Sequence, residues 1–317
     1  MLRIYYKKNT RLAKETDIEL LREIPLDSLV WVDLQNPTIE EKVTVETYFD
    51  IKYSTSKESQ EIESSSRFSE LDNEIIINSN FLSIKAQGFD YLPVSIVLEK
   101  GILFTYRDDD LKTFGESVKK IKSNPTLYVN GYQILSTILE TCIDQDADLI
   151  ENIAKEISEL NKSLKATNEK VDEQDLLKIS SLQNDNMLLR ENIIDKQRML
   201  SALLKSSSFP QEYMAVLRIM IKDISSLLEH NKFAFERLEY LQDTFMGLIN
   251  IEQNRIIKIF TVATVAFMPP TLIASIYGMN FTSMPEIHWE FGYIGAIVLM
   301  IISSLGTLVY FKKKKWL

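Results

Sequence analysis

Apolar and polar positions alternate in three different ways along the chain. Over residues 1–130 the apolar residues gather in short β-branched and aromatic runs, Leu2–Tyr6, Leu29–Leu34, Glu74–Gln87, Val94–Glu99 and Ile102–Arg107. Runs of this length predict strands, and Lys100-Gly101 between the last two reads as a hairpin turn. Asn36-Pro37-Thr38 offers a cap and a first-turn proline for a helix over Ile39–Phe49. Tyr53–Glu70, rich in Ser, Glu and Lys, predicts a loop or a weak strand, and Asp108–Ser123 predicts a helix. From Gly131 the period changes. Ile134, Leu135, Ile138, Leu139, Ile143, Leu149, Ile150, Ile153, Ile157, Leu160 and Leu164 recur at helical steps, and no proline occurs before Pro210. A polar connection over Ala166–Asp175 and a second helix over Leu176–Leu204 complete an antiparallel pair.

Ser206–Pro210 breaks that pattern and opens the third regime. From Gln211 to Tyr277 nothing stops a helix except Pro269-Pro270. Leu217, Met220, Ile224, Leu227, Asn231, Ala234, Leu238, Leu241, Phe245 and Leu248 follow 3-4 spacing, a coiled-coil seam with Asn231 as its polar interruption. A helix of 67 residues spans about 100 Å at ~1.5 Å per residue. It must pack on its own copies, on the preceding helices, or on both. Its last part, Ile259 to Tyr277, holds 19 residues without a charge, the length that crosses a bilayer core. A second uncharged run, Phe291 to Phe311, ends in Lys312-Lys313-Lys314-Lys315. The expected organisation is an α+β domain over 1–130, an acidic helical pair over 131–208 and a stalk helix over 209–277 that enters the membrane at about residue 256. A loop over 278–290, a second span over 291–311 and a basic tail over 312–317 follow.

Mean hydropathy is −0.08, an average over a polar body and a very apolar tail. Arg3, Lys7, Lys8, Arg11 and Lys14 leave no apolar signal-peptide core near the start, so the N-terminal part is expected in the cytosol. Arg255 and Lys258 flank the first span and four lysines follow the second. The connecting loop carries Glu286 and Glu290 and no Lys or Arg. By the positive-inside rule both termini are then cytoplasmic. The net charge is −9, of which −7 falls between Glu140 and Asp175. That excludes a basic nucleic-acid face and leaves either a solvated helix face or a cation-attracting surface. One cysteine, Cys142, allows no intrachain disulfide, and two histidines, His230 and His288, lie far apart. No P-loop or dinucleotide fingerprint is present, and Ser56, Ser64, Ser65 and Ser66 lie in a polar stretch with no Gly-rich elbow around a nucleophile. An enzyme is not expected.

The 3-4 spacing resumes at Asn254 and passes through Ile257, Thr261, Thr264, Met268, Thr271 and Ser275. Every uncharged polar side chain from Asn254 to Ser275 lies on this stripe. Two readings stand: the hydroxyls bond back to their own helix or knit helices together, or the stripe faces a wet axis shared by a ring of copies. Gly278-Met279-Asn280 ends the span. Gly is expected to close the helix in a left-handed conformation. Asn280 offers a neutral carbonyl to the waters of a hydrated cation, which a small divalent such as Mg²⁺ sheds reluctantly. Glu286 and Glu290 would concentrate cations nearby.

From about Asp243 to Leu317 the chain resembles the CorA family of divalent-metal transporters. The likeness rests on Tyr277-Gly278-Met279-Asn280-Phe281, on Met284-Pro285-Glu286 with Trp289 and Gly292-Tyr293, and on Phe311-Lys312-Lys313-Lys314-Lys315-Trp316-Leu317. Trp31-Val32-Asp33-Leu34 looks like the family's early strand. The resemblance implies a homopentameric, funnel-shaped Mg²⁺ channel in the cell membrane, with Co²⁺ and Ni²⁺ as further candidate ions and an α/β/α sandwich as its cytosolic body. It places Asn280 in an outer selectivity ring as an outer-sphere ligand and Asn254 near the inner end of the pore. Met268 and Ile257 or Phe260 become apolar constrictions, Asp243 an acidic position just inside, and Lys312–Lys315 a basic collar. It also implies closure when cytosolic Mg²⁺ fills acidic sites between subunits. On the stalk the family's positions for those sites fall on Ile219 or Lys222, with Asp223 displaced by one to four residues. A zinc transporter like ZntB, in the same superfamily, and a non-conducting two-span sensor or tether are the alternatives.

Overall fold

The computed structural model describes residues 1–8, 11–53, 67–71, 74–85, 88–166, 173–280, 284–285, 289–314 and 316. Two compact units make up the chain. The first holds residues 1–168 and 172–241, and the second holds 242–317 with 169–171.

In the first unit seven strands form one sheet in the order β2-β1-β3-β7-β6-β5-β4. They are β1 (Leu2–Lys8), β2 (Arg11–Glu15), β3 (Leu29–Gln35), β4 (Phe68–Leu71), β5 (Glu74–Lys85), β6 (Gly88–Glu99) and β7 (Ile102–Arg107). Among the described residues only β3 and β7 pair in parallel. A parallel pair needs both faces covered, and β3 is buried along six of its seven residues. On one face Leu2, Ile4, Val32, Leu34, Val97 and Phe104 pack with Val45 of helix α1 (Ile39–Phe49) and with Leu21, Ile51 and Tyr53. On the other, Trp31 stacks on Tyr5 at 4.7 Å and meets Phe114 of α2 (Lys112–Ser123) at 6.2 Å. This is the layered α/β domain expected.

Several local expectations need adjustment. The cap of α1 is Thr38 rather than Asn36: its hydroxyl accepts from the Glu41 N–H at 3.1 Å, and the Glu41 carboxylate accepts from the Thr38 N–H at 2.9 Å. Pro37 therefore precedes the helix. This is a capping box, legible as Thr-x-x-Glu once Pro37 is placed outside. The strand expected from Val94 begins six residues earlier, at Gly88. Asp90 and Pro93 hide it in the sequence, yet Pro93 sits opposite Asn80 in the ladder. The helix expected from Asp108 starts at Lys112. Strand β2 has too few apolar residues to show a period, and β4 is the weak strand of the 53–70 stretch. Ser56, Ser64, Ser65 and Ser66 lie outside the described residues.

Helices α3 (Gly131–Ala166) and α4 (Glu173–Lys205) follow the sheet, and α4 packs on β5 and β6. The stalk helix α5 runs from Met214 to Tyr277, and Pro269 and Pro270 do not end it. Its seam is consumed within the chain. Leu217, Met220, Ile224, Asn231, Ala234 and Leu238 are buried. Asn231 donates to the backbone carbonyl and the side-chain oxygen of Asn186 on α4, at 3.0 and 2.9 Å, and Asn186 donates to the Asn231 carbonyl at 3.1 Å. A polar pair inside an apolar seam fixes register. Ile219, Phe233 and Tyr240, at multiples of seven residues, stay exposed on another side of the same helix.

In the second unit α5 continues to Tyr277, and α6 (Gly292–Lys313) follows. Both helices are long and apolar enough to cross a membrane.

Candidate functional site

The stripe of α5 is built on a helix that turns one side inward. Val262 and Ala266 are buried at 4% exposure each. Thr264 and Met268, two residues beyond each, lie about 200° around the helix at 100° per residue. Asn254, Ile257, Phe260, Thr264, Met268, Thr271 and Ser275 are exposed, and Thr261 is half-buried. The stripe thus occupies the side away from the chain's own packing. It is not a continuation of the seam. Three heptads after Phe245 comes Ala266, on the buried side, and the step from Leu248 to Asn254 is six residues. That step, visible in the sequence, shifts the polar positions to a different face.

Each described threonine of the stripe turns its proton inward. Thr261 Oγ1 donates to the Ile257 carbonyl at 2.7 Å, Thr264 Oγ1 to Phe260 at 2.9 Å, and Thr271 Oγ1 to Phe267 at 2.8 Å. The two readings of the stripe are therefore compatible. A hydroxyl has one proton and two lone pairs, so back-bonding spends the donor and leaves an outward acceptor. These three acceptors complement the waters of a hydrated cation.

Pro269 and Pro270 lack the N–H groups that would bond the carbonyls of Val265 and Ala266 in a regular helix. At the far end the Gly278 N–H still bonds the Ala274 carbonyl at 2.9 Å, and the Met279 N–H reaches Ile276 at 3.2 Å. Gly278 is not in the left-handed region, which among glycines holds Gly88 and Gly101. The expected left-handed cap is corrected on this point. Gly278 instead allows a close backbone approach, since a Cβ there would stand 3.1 Å from the Ala274 carbonyl oxygen. Met279 and Asn280 follow, both exposed.

Glu290 is exposed, and Glu286 lies outside the described residues. Lys312, Lys313 and Lys314 are exposed at the end of α6, and Lys315 lies outside. Asp223 and Asp243 are exposed on α5, and among the described residues no three His, Cys, Asp or Glu side chains gather to hold a metal ion. The acidic stretch of α3 lines a cavity of about 440 Å³ with Asp110, Asp146, Asp148 and Glu151. Asp146 there is committed to Lys196 at 2.6 Å and to Asn192 at 3.0 Å.

Sequence reasoning missed the groups that lock the sheet domain. Trp31 Nε1–H donates to Thr105 Oγ1 at 2.9 Å, Thr105 donates to Asp33 Oδ1 at 2.8 Å, and Arg107 grips both Asp33 oxygens, with Nη2–Oδ2 at 3.2 Å. Asp33 and Arg107 are fully buried. Polar residues alternating inside the strands β3 and β7 were the available signal.

A family model described as CorA-like Mg²⁺ transporter protein matches residues 27–313. The magnesium transport protein CorA of Wolinella succinogenes is 41% identical over 322 residues, covering 100% of both chains. That of Escherichia coli K12 is 38% identical over 320 residues, again covering 100% of both. The solved structure of the CorA magnesium transporter from Methanocaldococcus jannaschii shares the fold, with a TM-score of 0.81 at 21% identity over 100% of this chain and 99% of that one. The family is one of membrane transporters, not enzymes. Domain, spans and whole-length similarity agree, and the chain belongs to the CorA-like Mg²⁺ transporter family.

Proposed function

We propose that copies of this chain form a ring, a homopentamer as in the resemblance, that conducts hydrated Mg²⁺ into the cell through a pore lined by the α5 stripe. The observation that carries this reading is the exposed row of acceptors on α5. It runs along the side that the chain leaves unpacked and ends at Gly278-Met279-Asn280. Asn280 would hold the ion through its waters, which avoids the cost of stripping a small hard cation. Glu290, with Glu286, would raise the local cation concentration, and Met268 with Ile257 or Phe260 would narrow the path. Asn254 would meet the ion near the inner end, close to Asp243.

An inside-negative potential supplies ~2.3 kcal/mol per charge per 100 mV, or about 4.6 for a divalent ion. With both termini cytoplasmic this drives entry of Mg²⁺, and of Co²⁺ or Ni²⁺ where their hydrated size fits. Closure by cytosolic Mg²⁺ belongs to the same proposal, with Asp223 and Asp243 as candidate ligands across subunits.

The test is flux into liposomes holding the purified protein, with Mg²⁺ or Zn²⁺ outside and an inside-negative potential. Mg²⁺ uptake that is lost in Asn280→Ala supports the reading. Robust Zn²⁺ uptake without Mg²⁺ uptake overturns it in favour of a zinc transporter. A particle that stays monomeric and passes neither ion points to a tether.

A further inference from the structure

The end of α6 combines two kinds of side chain in a few residues. Tyr310 and Phe311 meet edge to face at 5.7 Å, and Trp316 folds back onto Phe311 at 5.6 Å. Backbone bonds fix that fold: Lys314 N–H donates to the Tyr310 carbonyl and Trp316 N–H to the Phe311 carbonyl, each at 3.1 Å. Three aromatic rings thus form a plate at the last apolar turn, where rings with one polar edge sit at a membrane boundary. Lys312, Lys313 and Lys314 come next, all exposed. Among the described residues none of the three has an acidic partner.

Geometry limits what these lysines can face. Successive helical residues are about 100° apart, so three in a row fan over roughly 200°. A surrounding layer of headgroups can receive all of them. Lys258, exposed at the start of the first span, adds positive charge, while Arg255 is paired with Glu252 at 3.8 Å. The net charge of the chain is −9, yet this end is locally basic.

We propose that the aromatic plate and lysine fan at the end of α6 form a binding site for anionic phospholipid headgroups of the adjacent leaflet. The inference rests on the reading of α6 as a membrane span, but not on conduction. Phe311 and Trp316 seat among the upper acyl carbons, and Lys312, Lys313 and Lys314 take the phosphates. Each lysine near an anionic surface contributes enough to change local lipid occupancy about fivefold.

The experiment uses full-length protein carrying Trp289→Phe, reconstituted in phosphatidylcholine vesicles, which leaves Trp316 as the tryptophan at this boundary while Trp31 is buried in the sheet domain. A small fraction of brominated phosphatidylglycerol, or of brominated phosphatidylcholine, is added and quenching is read. Several-fold stronger quenching by the anionic lipid, lost in the triple variant Lys312→Gln, Lys313→Gln, Lys314→Gln and kept in the triple Arg variant, supports the site. Equal quenching by both lipids overturns it, as does selectivity that survives the triple Gln variant. Selectivity abolished by millimolar inorganic phosphate also overturns the lipid assignment and points to free phosphate. Unchanged melting and particle size show that the variants fold. Loss of ion flux with lipid selectivity intact would count against the proposed function and leave this site standing.

Discussion

Glu70 at the edge of the sheet holds the segment from which the stalk starts. Its carboxylate accepts from the Ser208 hydroxyl at 2.6 Å, the Ser207 hydroxyl at 2.9 Å and the Ser208 N–H at 2.9 Å. Those bonds, led by the Ser208 hydroxyl, hold its pKa down at about 2 from an ordinary 4.5. A depressed folded-state pKa gives stability that is complete above the ordinary value and is lost as pH falls towards 2. Glu70→Gln should therefore destabilise the protein by about 1–2 kcal/mol at pH 7. Urea titrations should show the gap between variant and wild type shrinking below pH 4.5 and closing near pH 2. Thr264 makes the second residue-scale prediction. Thr264→Val keeps the shape and removes the outward acceptor. In the proposed ring, Mg²⁺ flux should fall about tenfold or more, because a bond worth ~1 kcal/mol is lost from each copy, while Thr264→Ser retains flux and melting is unchanged in both.

At the scale of elements the informative contact is Asn186 against Asn231, which sets α4 against α5. Asn231→Leu strands a buried amide on Asn186 and should cost about 1–3 kcal/mol. Adding Asn186→Leu should recover part of that loss, and a double-mutant cycle from chemical unfolding reads the coupling. A strictly additive pair would count against the register role. The same pair shows where the sequence was legible. Apolar periods gave the long helices and the strands β3 and β7, since burial of one or both faces imposes a pattern that composition alone reveals. Asn231 stood out as the polar member of a seam, but whether the seam met another copy or α4 depended on a partner 45 residues away that no period encodes. For the candidate site, the stripe and Gly278-Met279-Asn280 were readable from spacing. The inward turn of each threonine proton, the absence of a left-handed conformation at Gly278 and the Asp33–Arg107 lock were not, because they follow from tertiary geometry.

For the whole molecule, Asn280→Ala should abolish Mg²⁺ uptake into liposomes without changing particle size or melting, since Asn280 is exposed and carries no packing. Uptake equal to wild type would remove Asn280 from the ion's path. If cytosolic Mg²⁺ closes the assembly, limited proteolysis near Ser206–Pro210 should be faster in chelator than in millimolar Mg²⁺. Equal rates would argue against closure by this ion. Both experiments bear on the proposed ring, to which the two sides of α5 contribute differently. Leu217, Met220, Ile224, Asn231, Ala234 and Leu238 are spent inside one chain, while Ile219, Phe233 and Tyr240 remain on the surface. A single chain thus fills its seam without a second copy, and in the ring proposed above a lesion on one side of the rod should spoil the monomer while a lesion on the other spoils only the gathering of monomers.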